Sequence, residues 1–284
     1  MEYLYHRNIK LPLIGFGTWN IGDDPLKEQQ EIDALMWAYK KYDMFLVDTA
    51  EMYGNGKSER LVGKFLKLVD RDKIYIVDKI LPENMKSGRY LQSCKKSLEN
   101  LGVSCIDLYL LHWNIEGLNL DKMVKNMEHL KKLGLIKNWG VSNFDTHEME
   151  ELFKVEEGHK CFLNQCLYNL KNREVEYDLL KFCKDNDVLF MSYSPLLNDR
   201  KTKEEFVSNP YFEEIVEKED LTNESLLLSF VIRNKDLITV FKTSEISHLD
   251  SNMKNVFKPL SKESLNKLET LSSCPKNKKY IQYI

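Results

Sequence analysis

No stretch of this sequence approaches the ~18 consecutive apolar residues of a membrane-spanning helix, so a membrane partner is not expected. Charge of one sign is equally scarce: 41 basic and 44 acidic residues are scattered along the chain and leave a net charge of -3. With no basic face to meet phosphates, a nucleic-acid partner is not expected either, and the run Lys276 to Lys279 reads as solvated surface. The opening MEYLYHRNIKLPLIGFG carries Glu2 and interrupts its apolar residues with Arg7, Lys10 and Pro12, unlike a secretory signal. A cytoplasmic protein is the expectation. Six cysteines (Cys94, Cys105, Cys161, Cys166, Cys183, Cys274) form no CxxC or paired zinc spacing and read as buried reduced thiols, with no metal site. HExxH, EF-hand and GxSxG motifs are absent, and the first strand lacks HxH, which argues against a metal-dependent hydrolase. No Pro-rich tract, low-complexity block or long linker divides the chain, so residues 1–284 are expected to form a single domain.

What is present is alternation. Short apolar runs recur as LIGF (13–16), FLVD (45–48), IYIVDK (74–79), IDLYLLH (106–112), KNWGVS (137–142), FLNQ (162–165), VLFMSY (188–193) and LITVF (237–241). Helical patterns lie between them: Leu61, Phe65 and Leu68 on one face, then Leu91, Cys94, Leu98 and Leu101, then Met123, Met127 and Leu130 before Gly134. Nearly all-apolar strands alternating with helices predict a parallel sheet covered on both faces. An open doubly wound sheet fits the pattern, but eight strands favour closure into a (β/α)8 TIM barrel, with an N-terminal hairpin before it. Extra helices are expected late in the chain: of PYFEEIVEKED and NESLLLSFVIR one is the standard barrel helix and the other an extra one, and residues 262–271 form a further helix before a short irregular tail.

In such barrels the active site gathers at the C-terminal strand ends. Here the second, third and fourth strands end in Asp48, Lys79 and His112, 31 and 33 residues apart. Taken singly, Asp48 and Lys79 fit a buried ion bridge and His112 a core histidine. Three in register point to one mouth. Tyr53, five residues past Asp48, is close enough to turn back over that mouth. A tyrosine titrates near ~10, and an adjacent ammonium is expected to lower that value.

At these residues the chain resembles the aldo-keto reductase family. The resemblance runs from GFGTW (15–19) through DTAEMYGN (48–55), Lys79, LYLLHW (108–113), GVSNF (140–144), NQ (164–165) and YSPL (193–196) to KTS (242–244) and Asn252. It implies an Asp48, Tyr53, Lys79, His112 tetrad. By that resemblance NADP(H) supplies a hydride to a small aldehyde or ketone, Tyr53 donates the proton and His112 orients the carbonyl. The implied cofactor set comprises Gly17, Thr18, Trp19 and Asp48 at the mouth, with Ser142, Asn143 and Gln165 on the carboxamide. Tyr193 stacks on the nicotinamide, and Ser194 and Leu196 lie along the pyrophosphate. Lys242 and Thr243 reach the 2′-phosphate, Ser244 completes the cofactor set beside them, and Asn252 reaches the adenine.

Three departures stand out. His248 occupies a position where the family usually has an Arg, which weakens the expected NADP preference because imidazole cannot replace a bidentate guanidinium. Phe241 replaces a frequent Pro. Leu81 stands where an aromatic is common and, with Trp19, Met52 and Trp113, is expected to wall the substrate pocket. GFGTWN (15–20) is an incomplete GxGxxG, and EMYGNGKS (51–58) lacks the first Gly of a P-loop, so Ser58 reads better as a helix start. The resemblance favours a monomer. The alternative to an enzyme is an NADP(H)-binding redox sensor or auxiliary subunit with little turnover.

Overall fold

The computed structural model describes residues 1–197 and 199–282. The chain begins with an antiparallel hairpin, β1 (Tyr3–His6) and β2 (Ile9–Pro12). Its two turn residues, Arg7 and Asn8, have φ of 46° and 64°, the left-handed pair that lets a two-residue turn follow the twist of the strands. Next, β3 (Ile14–Gly17) leads to α1 (Glu28–Tyr42), β4 (Leu46–Asp48) to α2 (Lys57–Leu66), and β5 (Tyr75–Ile80) to α3 (Pro82–Lys86) and α4 (Tyr90–Leu101). β6 (Ile106–Leu111) leads to α5 (Leu120–Lys132), β7 (Ile136–Ser142) to α6 (Thr146–Lys154), and β8 (Leu163–Leu167) to α7 (Leu179–Asp185). β9 (Leu189–Tyr193) is followed by α8 (Arg200–Val207), α9 (Pro210–Glu219) and α10 (Asn223–Val231), and β10 (Ile238–Phe241) by α11 (Ile246–Asn252) and α12 (Lys262–Leu271).

Strands β3 to β10 pair in parallel with their sequence neighbours, and β10 returns to β3 to close the barrel. The expected (β/α)8 barrel with its N-terminal hairpin is therefore the observed fold. Each of the eight apolar runs falls on one barrel strand, with ends within two residues. Among the described residues no helix is long and apolar enough to cross a membrane.

Two apolar layers hold the barrel. Inside it pack Leu46, Tyr75, Val77, Leu108, Leu110, Leu163, Leu189, Met191, Ile238 and Val240. The hairpin closes the lower end of this interior: Leu11 belongs to it, and Leu4 and Ile9 pack against it. A larger layer between strands and helices includes Phe16, Phe65, Tyr109, Trp139 and Phe230. Period-two alternation assigns the faces, so residues two apart on a strand point the same way. Counting upward gives Leu46 then Asp48, Val77 then Lys79, Leu163 then Gln165, Met191 then Tyr193, and Val240 then Lys242.

Three details differ from the sequence reading. A third helix, α8, lies between β9 and β10; none of its residues is buried, so no apolar stripe marks it. Leu68 lies past the end of α2 and is 58% exposed, so it is not part of that helix's packed face. Ser58 is not the cap of α2. That position belongs to Gly56, and the Ser58 hydroxyl instead donates to the Thr18 carbonyl at 2.8 Å. All six cysteines are free; four are buried, while Cys105 and Cys274 are half-buried.

The contact between α2 and α4 depends on Gly63. A Cβ there would lie 2.6 Å from the Asn100 carbonyl oxygen and 2.9 Å from that of Leu101. In an isolated helix Gly to Ala gains about 1 kcal/mol. Here backbone would have to move, so Gly63→Ala is expected to destabilise by about 1–3 kcal/mol and to lower the thermal midpoint. A raised midpoint would show that the two helices do not need this approach.

Candidate active site

The strand ends surround a cleft of about 580 Å³ lined by Gly17, Thr18, Trp19, Asn20, Asp48, Met52, Tyr53, His112, Trp113, Ser142, Asn143, Gln165, Tyr193, Ser194, Pro195, Leu196, Leu197, Val240, Phe241 and Lys242. Lys79 lies beneath it, fully buried. Its Nζ donates to Asp48 Oδ2 at 2.8 Å, to the Thr49 carbonyl at 2.9 Å and to the Tyr53 hydroxyl at 3.2 Å. All three ammonium protons thus have acceptors. The other Asp48 oxygen, Oδ1, accepts from Gln165 Nε2 at 2.8 Å.

Tyr53 reaches this ammonium because the chain turns sharply after β4. Thr49 and Glu51 still donate to the β5 carbonyls of Val77 and Lys79, at 2.8 and 3.2 Å. Gly54, Asn55 and Gly56 then take left-handed φ of 56°, 52° and 80°, a run that two glycines make accessible. His112 continues β6: its amide donates to the Ile80 carbonyl at 3.0 Å. Its ring meets that of Tyr53 edge-on, with centroids 5.8 Å apart.

The electrostatics correct one expectation. The sequence predicts that Lys79 lowers the pKa of Tyr53; burial, reinforced by the Asp48 carboxylate, outweighs the ammonium, and the net direction is upward. The phenol therefore keeps its proton. Burial opposes the charge on Lys79, but Asp48 and Tyr53 outweigh it and hold the ammonium above its ordinary range. Burial and then the Lys79 charge push His112 down to about 2, so its imidazole is neutral.

Around the mouth, Ser142 Oγ donates to the Gln165 carbonyl at 2.8 Å, Asn143 Nδ2 to the His112 carbonyl at 3.0 Å, and the Tyr193 hydroxyl to Asn143 Oδ1 at 2.9 Å. The Thr18 hydroxyl donates to the Asp48 carbonyl at 2.9 Å, tying β3 to β4. Trp19 and Met52 are 49% and 41% exposed and, with half-buried Trp113, present apolar surface to the cleft. Leu81 does not line it. It follows β5 at the start of α3, where its amide donates to the Glu51 carboxylate. Lys242, just past β10, also lines the cleft. Thr243, Ser244, His248 and Asn252 lie beyond the cleft wall, on the segment that enters and forms α11, with Lys242 and His248 exposed and Asn252 buried.

Sequence reasoning missed Asn20, Pro195, Leu197, Val240 and Phe241 as lining residues. For Val240 a signal existed: it lies two residues before Lys242 and shares its inward face. Asn20 and Leu197 owe their places to left-handed φ of 60° and 64°, which no residue type here announces.

A neutral buried His112 has a measurable cost in acid. Its folded value of about 2 lies below the ordinary 6.5. The unfolded chain therefore binds a proton that the folded one refuses, and stability falls as pH drops from 6.5 toward 2. Between pH 7 and pH 5 denaturant unfolding should show the wild type losing about 2 kcal/mol more than His112→Gln. Equal losses would mean that the histidine is not held neutral.

Residues 13–273 match the Aldo/keto reductase family. The methylglyoxal reductase YeaE of Escherichia coli is 34% identical over 277 residues, spanning 98% of this chain and 96% of that one. An NADPH-dependent alpha-keto amide reductase of Saccharomyces cerevisiae is 30% identical over 275 residues, 92% of this chain and 86% of that one. An aldo-keto reductase from Klebsiella pneumoniae, solved in complex with NADPH, superposes with a TM-score of 0.93 at 32% identity, covering 99% of this chain and 98% of that one. The chain belongs to the aldo/keto reductase family.

Proposed function

We propose that this protein reduces small aldehydes or ketones to alcohols with NADPH, and that Tyr53 is the proton donor. Family membership and the NADPH-bound relative support an NADP-dependent carbonyl oxidoreductase. The observation that carries the role of Tyr53 is its contact with a fully buried ammonium, 3.2 Å away, at the wall of the cleft.

The donor set fits a nicotinamide dinucleotide. Ser142, Asn143 and Gln165 offer amide and hydroxyl groups of the kind that match a carboxamide. Tyr193 supplies an aromatic face, and Lys242 places an exposed cation on the cleft wall. When bound, the reduced nicotinamide supplies the hydride. The chain's own residues handle the oxygen. Lys79 donates to the Tyr53 oxygen, which leaves the phenolic proton free to point at a carbonyl. As negative charge develops on that oxygen, the fixed ammonium stabilises the phenolate left behind. Asp48 keeps Lys79 charged and aimed. His112, neutral, offers hydrogen bonding without adding a second positive charge, and the exposed faces of Trp19, Met52 and Trp113 receive the apolar part of the substrate.

Following NADPH absorbance with methylglyoxal, an α-keto amide and other small carbonyls tests the reading. Tyr53→Phe removes the proton and keeps the ring, so turnover should fall by about 10²- to 10⁴-fold while NADPH still binds. Undiminished turnover would remove Tyr53 from the chemistry, and retained NADPH without turnover in the wild type would favour a sensor or auxiliary role.

Position 248 gives a separate handle on the cofactor. His248→Arg is expected to lower the KM for NADPH about three- to tenfold by adding a charge-assisted contact to the 2′-phosphate, with the KM for NADH unchanged. A parallel change for both cofactors would place this residue away from the phosphate.

A further inference from the structure

The wall of the cleft past β9 is an unusual piece of backbone. Ser194 and Leu197 carry φ of 55° and 64°, left-handed conformations that a non-glycine residue keeps only when its surroundings over-determine them. One constraint comes from a residue that does not line the cleft. Asn169, only 2% exposed, lies just past the end of β8. Its Nδ2 donates to the Ser194 carbonyl at 3.0 Å. Its Oδ1 accepts from the amides of Lys171 and Asn172 at 2.9 and 2.8 Å. Two amide donors on one side fix which end of the carboxamide is oxygen, so the nitrogen must face the carbonyl.

The mount behind Asn169 is stiff. The Tyr168 amide donates to the Tyr193 carbonyl at 3.4 Å, and the Ser192 hydroxyl to the Tyr168 carbonyl at 2.7 Å. Beyond the turn, Arg173 pairs with Glu176 at 2.6 Å and with Glu269 of α12 at 2.7 Å. The Tyr168 hydroxyl donates to the same Glu176 at 2.6 Å.

We propose that Asn169 is a positioning residue for the cofactor: its hydrogen bond to the Ser194 carbonyl fixes the turn Ser194–Leu197 as the seat of the dinucleotide's pyrophosphate. This rests on the NADPH reading above. Asn169 acts through Ser194 and touches neither cofactor nor substrate, so it governs cofactor affinity and leaves the chemical step alone.

Asn169→Asp and Asn169→Ser both retain an acceptor for Lys171 and Asn172 and remove the Nδ2 donor. In each, the Kd for NADPH, read by fluorescence without carbonyl substrate, should rise about tenfold, the effect of losing one part-buried hydrogen bond. At saturating NADPH, kcat and the carbonyl KM should stay within about twofold of wild type. An unchanged Kd in the folded variants, or kcat falling together with the melting temperature, overturns the proposal. Hydrogen exchange on the wild type needs no variant: NADPH should slow exchange at Lys171 and Asn172 together with the Ser194–Leu197 turn, and protection confined to that turn overturns it equally. A wild type that binds no NADPH sinks the cofactor reading and this inference with it, whereas normal wild-type binding with unaltered variants sinks the inference alone.

Discussion

Removing the Lys79 ammonium from water costs several kcal/mol unless its partners replace the lost hydration. Three oxygens do so, from Asp48, Thr49 and Tyr53, and Gln165 in turn holds the second oxygen of Asp48. These groups come from β4, β5, β8 and the loop after β4, so the bonding of one cation ties together widely separated parts of the barrel wall. The arrangement carries a demand with it: none of the four groups can shift far without leaving a buried charge short of a partner.

That demand is met because the strands beneath are regular. On β4, β5, β8, β9 and β10 an apolar interior residue is followed two positions later by a polar one at the mouth. Packing of Leu46, Val77, Leu163, Met191 and Val240 fixes each strand's height and rotation, and the polar ends inherit that precision. Left-handed φ at Asn143, Ser194 and Leu197 falls in the loops above this layer. The regular part sets position, and the strained part shapes the cleft.

The same division explains what the sequence revealed. Asp48, Lys79 and His112 were legible because strand ends repeat at the spacing of a βα unit, and the eight strands because double burial leaves nearly continuous apolar runs. The cofactor-side residues came from resemblance, since no periodicity marks a serine or asparagine in a loop. Asp78 shows the limit. It adjoins Lys79 on β5, and nothing in VDK says which charge faces inward; the structure turns Asp78 outward into the buried helix layer. Burial, helped by Glu59, raises its carboxyl well above the ordinary range. The resemblance puts Leu81 on the pocket wall, whereas it lies at the start of α3 outside the cleft lining, and α8 escaped because a helix with no buried face has no apolar rhythm.

The hairpin that closes the lower end of the barrel bears on how an acid at the mouth recovers. With Leu4, Ile9 and Leu11 below and Val77, Leu110, Met191 and Val240 between, the interior under Asp48, Lys79 and Tyr53 is packed with apolar side chains. A proton given up by the proposed acid is then replaced from the side by which the substrate arrived. On that reading, the regeneration of the phenol and the clearing of the cleft share one door.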